Sequence, residues 1–381
     1  MRYDHVIVGA GWGGGNIARA YREAGGRGSL LLLGAEPHAP YQRPPLTKAY
    51  LRGEEEAEAA LVVPPEWWHE QGVELRTGCE VTAIDRAARE VELADGERVG
   101  YGRLALATGA APRPLLGADV VRTFEDVEAL RELLARGGGR LAVIGGGFIG
   151  IEVAASARMK GLEVTLVMRN RVVWDHLFGI AVGSYFQRQL ESHGVQVLGG
   201  QDVVSWDGST LRTSAGESVR AEHAVAGIGV RPRLGLARTA GLETAGGVLV
   251  DEELSAGDDV WAIGDLAEYQ SVVHGRRIRV EHWDVALNHA NYLGRRWAGA
   301  AEGPYDVVPY FFSDLADWTW MEYVGPGQGR VDVRGSMDED DFAAYYLDPD
   351  GAVTACLGVN RSEQVEAAKQ LIRGHLPPPP A

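Results

Sequence analysis

The stretch Asp4-His-Val-Ile-Val-Gly-Ala-Gly-Trp-Gly-Gly-Gly15 decides the fold of this chain. A short apolar run ends at glycines spaced G-x-G-x-x-G, which are Gly9, Gly11 and Gly14, and residues 16–24 have a helical pattern. A dinucleotide-binding fingerprint requires this order of strand, glycine turn and helix. The first glycine permits the tight turn, the second the approach of a pyrophosphate, and the third close packing of helix on strand. The stretch therefore predicts a Rossmann-like fold with a phosphate at the helix N-terminus.

Two further features strengthen this interpretation. The apolar run at residues 30–33 ends near Glu36, roughly 20 residues after the glycine turn, where an acid holds the ribose hydroxyls of a bound dinucleotide. A second fingerprint lies in residues 141–152, with a predicted strand before its glycines and a predicted helix over 151–160. Two such units about a domain apart are improbable as a coincidence, so the chain is predicted to bind two dinucleotides.

The second fold lacks an acid at the corresponding position. After the strand predicted over residues 163–168 the chain reads Met168-Arg169-Asn170-Arg171, and no carboxylate follows until Asp175. An arginine at this position can accommodate a 2′-phosphate, which favours NADPH over NADH. The alternative is that Arg169 and Arg171 are surface residues and that nucleotide choice is made elsewhere.

The remaining turn signals predict an α/β fold with two Rossmann-like dinucleotide-binding domains plus a C-terminal α+β domain. The segment 227–233 contains glycine and proline, and we expect the chain to return to the first domain there. From Pro309 the composition becomes rich in aromatic residues. The expected boundaries are 1–111 and 233–308 for the discontinuous first dinucleotide-binding domain, 112–232 for the second dinucleotide-binding domain, 309–374 for the C-terminal domain, and 375–381 for a flexible proline-rich tail. Residues 73–75 and 91–93 are expected to belong to a small antiparallel layer. In the last domain, strands are predicted at 342–347 and 353–359 and a helix at 363–372.

Composition excludes several classes of function. The net charge of −16 and the pI of about 5.1 argue against nucleic acid and anionic membranes as partners. Two cysteines, Cys79 and Cys356, offer no disulfide framework, no metal-cluster spacing and no redox pair. No apolar run is long enough to span a membrane, and the strand pattern from Tyr3 leaves no room for a signal peptide. We therefore expect a cytoplasmic protein without a bound metal.

Taken together, the motifs resemble the two-dinucleotide flavoprotein reductases. The chain looks most like their ferredoxin/putidaredoxin reductase branch, which includes the flavoenzyme core of apoptosis-inducing factor. The motifs that carry the resemblance are V-I-V-G-A-G at 6–11, Y-Q-R-P-P-L-T-K at 41–48, A-T-G at 107–109, G-G-G-F-I-G-I-E at 145–152, G-V-R-P at 229–232, A-I-G-D at 262–265, V-E-H-W at 280–283 and P-Y-F-F-S-D at 309–314. The resemblance implies FAD in the first fold and NAD(P)H as co-substrate in the second.

It also implies a set of site residues. Those that would contact FAD are Gly9, Gly11, Trp12, Gly13, Gly14, Glu36, Arg43, Lys48, Val81, Ala107, Thr108, Gly109, Asp265, Glu281, His282, Trp283 and Phe312. Those that would contact NAD(P) are Gly145, Gly147, Phe148, Ile149, Gly150, Glu152, Arg169, Arg171 and Gly229.

Three of these residues are candidates for catalysis: Lys48, Glu152 and His282. Lys48, held by Glu152 near the flavin N5, could stabilise the anionic reduced ring. His282 could donate a proton or serve as a hydrogen-bonded wall residue, and we favour the wall. Two features bear on this comparison: many relatives carry tryptophan where Phe312 stands, and no cysteine lies in residues 41–46, where disulfide reductases of the superfamily place a redox pair. Electrons should therefore leave the flavin directly.

Three functions remain open from the sequence. The first is a reductase that passes single electrons to a small iron–sulfur or rubredoxin-type protein. Ferredoxins are usually acidic, so this function would need a local basic patch, for which the candidates are Arg43, Arg231, Arg233, Arg295 and Arg296. The second is an NAD(P)H oxidase or diaphorase that uses oxygen or quinones. The third is a redox sensor like apoptosis-inducing factor, in which Trp318, Trp320 and Tyr323 could form a homodimer face instead of ordinary packing.

Overall fold

The computed structural model of the protein describes residues 1–327 and 329–380. These residues form two compact units. The first unit comprises residues 1–42, 58–111 and 232–309, and the second comprises residues 43–57, 112–231 and 310–381. Two short strands lie where the chain passes from one unit to the other: β7 Ala110–Pro112 and β15 Val230–Pro232.

The first unit is built on a mixed sheet with helices packed against it. Its helices are α1 Trp12–Glu23, α2 Pro65–Glu70, α6 Gly235–Thr239 and α7 Trp283–Trp297. Its strands are β1 Arg2–Val8, β2 Leu30–Leu33, β3 Val73–Arg76, β4 Val81–Asp85, β5 Glu90–Leu93, β6 Arg98–Leu106, β16 Val248–Val250, β17 Ser255–Gly257, β18 Val260–Ala262, β19 Ala267–Ser271 and β20 Arg276–Ile278. Short 3₁₀ turns span Ala57–Ala60 and Gly264–Leu266.

Strand β1 lies at the centre of the main sheet, whose strand order is β17-β18-β6-β1-β2-β3. It pairs in parallel with β2 on one side and with β6 on the other, and all four leucines of β2 are buried. Parallel sheets are covered on both faces, which explains such continuous apolar runs. Helices α1 and α7 approach closely, since a Cβ atom at Gly294 would lie 2.6 Å from the Ile17 carbonyl oxygen. The carboxyl ends of β1, β6 and β18 therefore share one edge of the sheet, where dinucleotides bind in such folds.

The predicted antiparallel layer is wrong for its first strand. Residues 73–75 belong to β3, which pairs in parallel with β2 at the edge of the main sheet. Residues 91–93 belong to β5, which does pair antiparallel with β4 and β6. A four-residue strand carries too little periodicity to reveal the direction of its partner.

The second unit contains a parallel sheet and a separate antiparallel sheet. Its helices are α3 Phe124–Arg136, α4 Phe148–Met159, α5 Asp175–Ser192 and α8 Ser362–Gly374, and a 3₁₀ turn spans Pro44–Thr47. Its strands are β8 Arg140–Ile144, β9 Glu163–Met168, β10 Val195–Gly199, β11 Val203–Trp206, β12 Thr210–Thr213, β13 Ser218–Arg220, β14 His223–Ala226, β21 Tyr310–Leu315, β22 Thr319–Val324, β23 Arg330–Ser336, β24 Asp341–Leu347 and β25 Val353–Val359.

The parallel sheet has the order β10-β9-β8-β14, which matches the first four strands, 3-2-1-4, of the Rossmann strand order. Strands β21 to β25 form the antiparallel sheet, in the order β21-β22-β25-β24-β23. Both Rossmann-like folds and the C-terminal α+β part are thus present, as the sequence predicts. The predicted division into three domains stays a prediction, and residues 43–57 pack with the second unit.

Both helices after the glycine turns begin earlier than their patterns indicate. Helix α1 begins at Trp12 rather than at residue 16, and α4 begins at Phe148 rather than at residue 151. Glycine is a poor helix former, so residues at these turns are not recognised as helical from propensity. Gly14 and Gly150, the last glycines of the two fingerprints, belong to the first turns of these helices, where free N–H groups can bind a phosphate.

The tail predicted to be flexible makes several contacts with the rest of the chain, two of them with strands of the antiparallel sheet. The Val353 N–H donates to the Leu376 carbonyl at 2.9 Å, and the Arg334 guanidinium donates to the Pro379 carbonyl. Ala381 lies outside the described residues. Among residues 1–327 and 329–380, no helix is both long and apolar enough to cross a membrane.

Candidate active site

The first glycine loop, residues 9–15, packs against the end of β6 in the first unit. Gly9 has φ +111°, and a Cβ atom there would lie 2.4 Å from the Ala107 carbonyl oxygen. A Cβ atom at Gly14 would lie 1.9 Å from the Gly9 carbonyl oxygen, so this glycine is needed for the turn itself. Gly11 differs, because a Cβ atom there would meet no atom within 4 Å. Gly11 therefore leaves open space in which a phosphate can approach the backbone.

The groups around this loop fit FAD. Helix α1 has no side-chain cap at Gly11, so its first amides remain available to an anion. The Thr108 Oγ1 and the Trp12 Nε1 are buried without a hydrogen-bond partner in the described residues. Buried polar atoms normally have a partner, and a bound dinucleotide with many polar atoms would supply it. Two other predicted FAD residues are glycines near this site. Gly13 lies in the first glycine loop, and Gly109 lies just after β6 with a φ of +62°.

Three further predicted FAD residues lie in the same unit. Glu36 follows β2 by three residues and accepts a hydrogen bond of 2.7 Å from the Tyr41 hydroxyl. Asp265 lies in the 3₁₀ turn after β18. Val81 is buried at the start of β4. Glu36 and Asp265 each follow a parallel strand of the main sheet, which is the position of ligand-binding side chains in such folds.

The start of α7 carries the V-E-H-W motif. Glu281 is ion-paired with Arg279, and the Trp283 ring stacks on Trp12 with centroids 5.1 Å apart. His282 is the N-cap residue of α7, and burial lowers its pKa to about 4. The imidazole is therefore neutral at pH 7, which supports a wall role over that of a proton donor.

A buried histidine that sequence reasoning missed supports the Gly-Asp turn. His289 lies on α7 and is fully buried, and its Nδ1 accepts a hydrogen bond of 3.2 Å from the Gly264 N–H. Burial lowers its pKa to about 3, so the ring is neutral and can accept this bond. Nothing in the sequence distinguishes His289 as functional, because a lone histidine on an apolar helix face usually belongs to the core.

The second glycine loop, residues 145–150, repeats the geometry in the second unit. Gly145 has φ +104°, and a Cβ atom at Gly150 would lie 2.0 Å from the Gly145 carbonyl oxygen. A Cβ atom at Gly147 would meet only the Gly227 carbonyl oxygen, at 3.4 Å. Helix α4 begins here without a side-chain cap. The loop thus fits a second pyrophosphate in the way the first loop fits FAD.

The other predicted NAD(P) residues surround this loop. The Phe148 ring packs against Trp174 and Phe311 with centroid distances of 4.9 Å to each, while Ile149 is partly exposed. Gly229 has φ +90°, and its carbonyl accepts a bond of 3.0 Å from the Arg113 N–H. Arg169 and Arg171 are exposed just after β9.

A carboxylate stands beside Arg169 although the sequence shows none nearby. The Asp202 side chain accepts a hydrogen bond from the Arg169 Nε, and this residue lies just after β10. Strands β9 and β10 are parallel neighbours, so their carboxyl ends meet at one edge. Sequence reasoning missed Asp202, because it follows Arg169 by more than thirty residues.

Lys48 is held by two carboxylates of the same unit. Its Nζ lies 2.9 Å from the Glu152 Oε1 and 2.6 Å from the Asp314 Oδ1. Glu152 is 7% exposed, and it accepts bonds of 2.6 Å from the Thr47 hydroxyl and from the Ser313 hydroxyl. We call these five residues the lysine network. A buried charge needs such partners, so the network fixes the ammonium in place.

Three of these residues were missed by sequence reasoning: Thr47, Ser313 and Asp314. Ser313 and Asp314 belong to the quoted P-Y-F-F-S-D motif, and strand alternation could have placed Ser313 inward, beside the outward Phe312. Phe312 is 39% exposed. The Arg43 guanidinium donates to the Arg122 carbonyl at 2.6 Å in the same unit.

We expect the first unit to lose stability in mild acid, because burial lowers the pKa of four of its histidines. These pKa values fall to about 4 for His5, His274 and His282, and to about 3 for His289. Since the folded pKa lies below the unfolded one, the stability is complete above about pH 6.5 and falls as pH decreases toward 4. Each histidine contributes up to about 1.4 kcal/mol per pH unit, and denaturant unfolding between pH 7 and pH 5 measures the slope.

His289→Phe removes the histidine with the lowest pKa of the four and should reduce the slope. A free energy of unfolding that stays constant down to pH 5 would contradict the assignment.

The fold and the two glycine loops define a class of protein, a two-dinucleotide α/β oxidoreductase. Over residues 3–290 the chain matches the family described as pyridine nucleotide-disulphide oxidoreductase, and it belongs to that family. The chain is 35% identical to putidaredoxin reductase of Pseudomonas putida, over 98% of this chain and 93% of that protein. It is equally 35% identical to the ferredoxin–NAD(+) reductase component of the anthranilate 1,2-dioxygenase system of Burkholderia cepacia, over 98% and 95%.

A solved structure agrees with these relatives. The crystal structure of the covalent putidaredoxin reductase–putidaredoxin complex is similar with a TM-score of 0.92 and 33% identity, over 98% of this chain and 93% of that one. The resemblance to ferredoxin reductases is thereby confirmed. The protein is an FAD-dependent enzyme of the ferredoxin–NAD(P)+ reductase type that oxidises NAD(P)H.

The disulphide in the family description has no counterpart in this chain. The sequence contains two cysteines, and both Cys79 and Cys356 are free thiols. Cys356 is fully buried in the second unit, whereas Cys79 lies in the first.

Proposed function

We propose that the protein takes a hydride from NAD(P)H and passes electrons singly to a small iron–sulfur protein of the ferredoxin type. The observation that carries this proposal is the similarity to putidaredoxin reductase along 98% of the chain, in a protein without a redox cysteine pair. Bound FAD supplies the chemistry, because a flavin accepts two electrons together and releases them one at a time. The alternative partner of the same kind is a rubredoxin-type protein.

Lys48 is proposed to hold a positive charge beside the flavin N5. The lysine network leaves its ammonium little freedom, since four side-chain oxygens lie within hydrogen-bond distance of Nζ or of its partner Glu152. A charge that is fixed before the reaction needs no reorganisation when negative charge develops on the ring. Glu152 and Asp314 are positioning residues in this account.

His282 is proposed to act as a neutral wall residue at the start of α7. Its pKa of about 4 leaves almost no imidazolium at neutral pH. We expect His282→Gln to leave the shape of the pH profile of flavin reduction unchanged between pH 6 and pH 8. Stopped-flow reduction by NAD(P)H measures this profile, and the loss of an ionisation in that range would show that His282 donates a proton.

A weak preference for NADPH over NADH is proposed from the end of β9. Arg169 and Arg171 are exposed there, and neither lies beside an acid in its own stretch of sequence. A kcat/KM at least tenfold higher with NADH would contradict this preference. The cytoplasmic location, the basic docking patch and the homodimer stay predictions. Of the arginines predicted for the patch, Arg296 is ion-paired with Glu253.

Steady-state assays with purified protein test the proposed acceptor. We expect cytochrome c to be reduced rapidly by NAD(P)H only when a ferredoxin is added. Rapid oxygen consumption without ferredoxin would instead indicate an oxidase. Slow reduction that leaves an air-stable long-wavelength absorbance would indicate a redox sensor.

A further inference from the structure

We propose that Asp202 is a specificity-determining residue that limits the preference of this enzyme for a 2′-phosphorylated dinucleotide. The proposal rests on the proposed binding of the nicotinamide dinucleotide at the second glycine loop. It concerns a carboxylate that the chain supplies from β10, one strand away from the position where an acid is missing.

The backbone holds Asp202 close to the end of β9. Gly199 is paired with Met168 in the parallel ladder, and the Gln201 N–H donates to the Met168 carbonyl at 3.0 Å. The Gly200 N–H donates to the Asn170 carbonyl at 2.9 Å. These bonds join the two loops directly, so the position of Asp202 does not depend on its side-chain pair alone.

The other side of Asp202 is fixed as well. Its backbone N–H donates to the Ser214 hydroxyl at 3.0 Å, and its carbonyl accepts a bond of 2.8 Å from the Ser214 N–H. Asp202 therefore lies between the end of β9 and the three antiparallel strands β11, β12 and β13 of the same unit. Its carboxylate meets the Arg169 guanidinium at this point.

The position of Asp202 relative to the strands indicates which part of a bound dinucleotide it would face. In a sheet of order 3-2-1-4, the loop after strand 1 binds the pyrophosphate, and the residues after strand 2 contact the adenosine ribose. Here these are the second glycine loop after β8 and residues 169–171 after β9. An arginine at the second position favours a 2′-phosphate, and a carboxylate there disfavours it by repulsion.

Asp202 is ion-paired with Arg169 but not with Arg171. Arg169 is paired with it, whereas Arg171 forms no ion pair or side-chain hydrogen bond within residues 1–327 and 329–380. A 2′-phosphate must therefore compete with the Asp202 carboxylate for Arg169. Both side chains are largely exposed, with 83% and 57% of their surfaces accessible, so the effect is modest and depends on salt.

The test measures nucleotide binding to the FAD-loaded protein, independently of any electron acceptor. Adenosine 2′,5′-bisphosphate and 5′-AMP differ only in the 2′-phosphate, and calorimetry gives the Kd of each. In Asp202→Asn we expect the bisphosphate to bind about fivefold tighter and 5′-AMP to change less than twofold, because an exposed charge pair is worth about a factor of five. The gain should shrink as the salt concentration rises.

Two controls make the result specific. Glu163→Gln removes the acid of another exposed ion pair, Glu163–Arg140, at the opposite end of β9, and it should leave both Kd values unchanged. In an Arg169→Ala background, Asp202→Asn should change the ratio much less than in the wild type, because the competition for Arg169 is gone and a double-mutant cycle detects this coupling.

Four results would overturn the inference. Three are an unchanged ratio in Asp202→Asn, an equal change for both nucleotides, and the full gain persisting without Arg169. The fourth is failure of either nucleotide to bind the wild-type protein. A protein that binds both nucleotides as expected but reduces no ferredoxin would contradict the proposed acceptor and leave the role of Asp202 supported.

Discussion

Replacing Lys48 by alanine should slow the reduction of the bound flavin by NAD(P)H by roughly 10²-fold, the usual effect of removing one preorganised electrostatic contact. The variant loses the ammonium that Glu152 and Asp314 hold at 2.9 and 2.6 Å. Nucleotide binding should change much less, because this charge is needed chiefly when negative charge develops on the flavin. Anaerobic stopped-flow measurements give both the limiting rate and the Kd for NAD(P)H.

A second lysine of the same unit provides the control. Lys369 pairs with the exposed Glu366 on α8, and Lys369→Ala should leave the rate and the Kd unchanged. Lys48→Ala also leaves Glu152 and Asp314 without their counter-ion, so the double variant Lys48→Ala/Asp314→Asn separates the two effects. A limiting rate that stays near the wild-type value in Lys48→Ala would refute the proposed role of the lysine.

Replacing Gly11 by alanine should leave the apoprotein folded but weaken FAD binding by at least roughly tenfold. The added Cβ atom meets no protein atom within 4 Å, and Gly11 has an ordinary φ of −90°, so the fold has no reason to resist the change. The methyl group instead occupies the space in which the pyrophosphate approaches the backbone. Titration of apoprotein with FAD gives the Kd, and thermal unfolding of the apoprotein reports the fold.

Two other glycines of the first unit provide comparison variants for this experiment. Gly235→Ala also meets no atom within 4 Å and lies far along the chain from the loop, so it should change neither quantity. Gly14→Ala places a Cβ atom 1.9 Å from the Gly9 carbonyl oxygen and should destabilise the apoprotein itself. FAD binding to Gly11→Ala with the wild-type Kd would mean that the first glycine loop does not hold the pyrophosphate.

The structural features that could be predicted from the sequence depend on residues that lie close together in the chain. A fingerprint of about ten residues specifies its own strand, turn and helix, and the positions of Glu36 and Asp265 follow from strand ends. The direction of β3 could not be predicted, because a four-residue strand does not reveal its partner.

The contacts that could not be predicted join distant parts of the chain. Asp314 reaches Lys48 across 266 residues, and His289 reaches Gly264 from another element. Asp202 supplies an acid that the stretch after β9 lacks, and only the pairing of β9 with β10 brings it there. Such contacts depend on topology, which local periodicity does not encode.

The most direct test of the central claim is an anaerobic titration of the purified protein. We predict that the yellow protein loses its flavin absorbance on addition of one equivalent of NAD(P)H, and regains it on addition of about two equivalents of an oxidised ferredoxin, since each ferredoxin accepts one electron. The cysteine variant Cys79→Ser should behave identically. A colourless protein that takes up no FAD, or a reduced protein whose absorbance ferredoxin does not restore, would contradict the account.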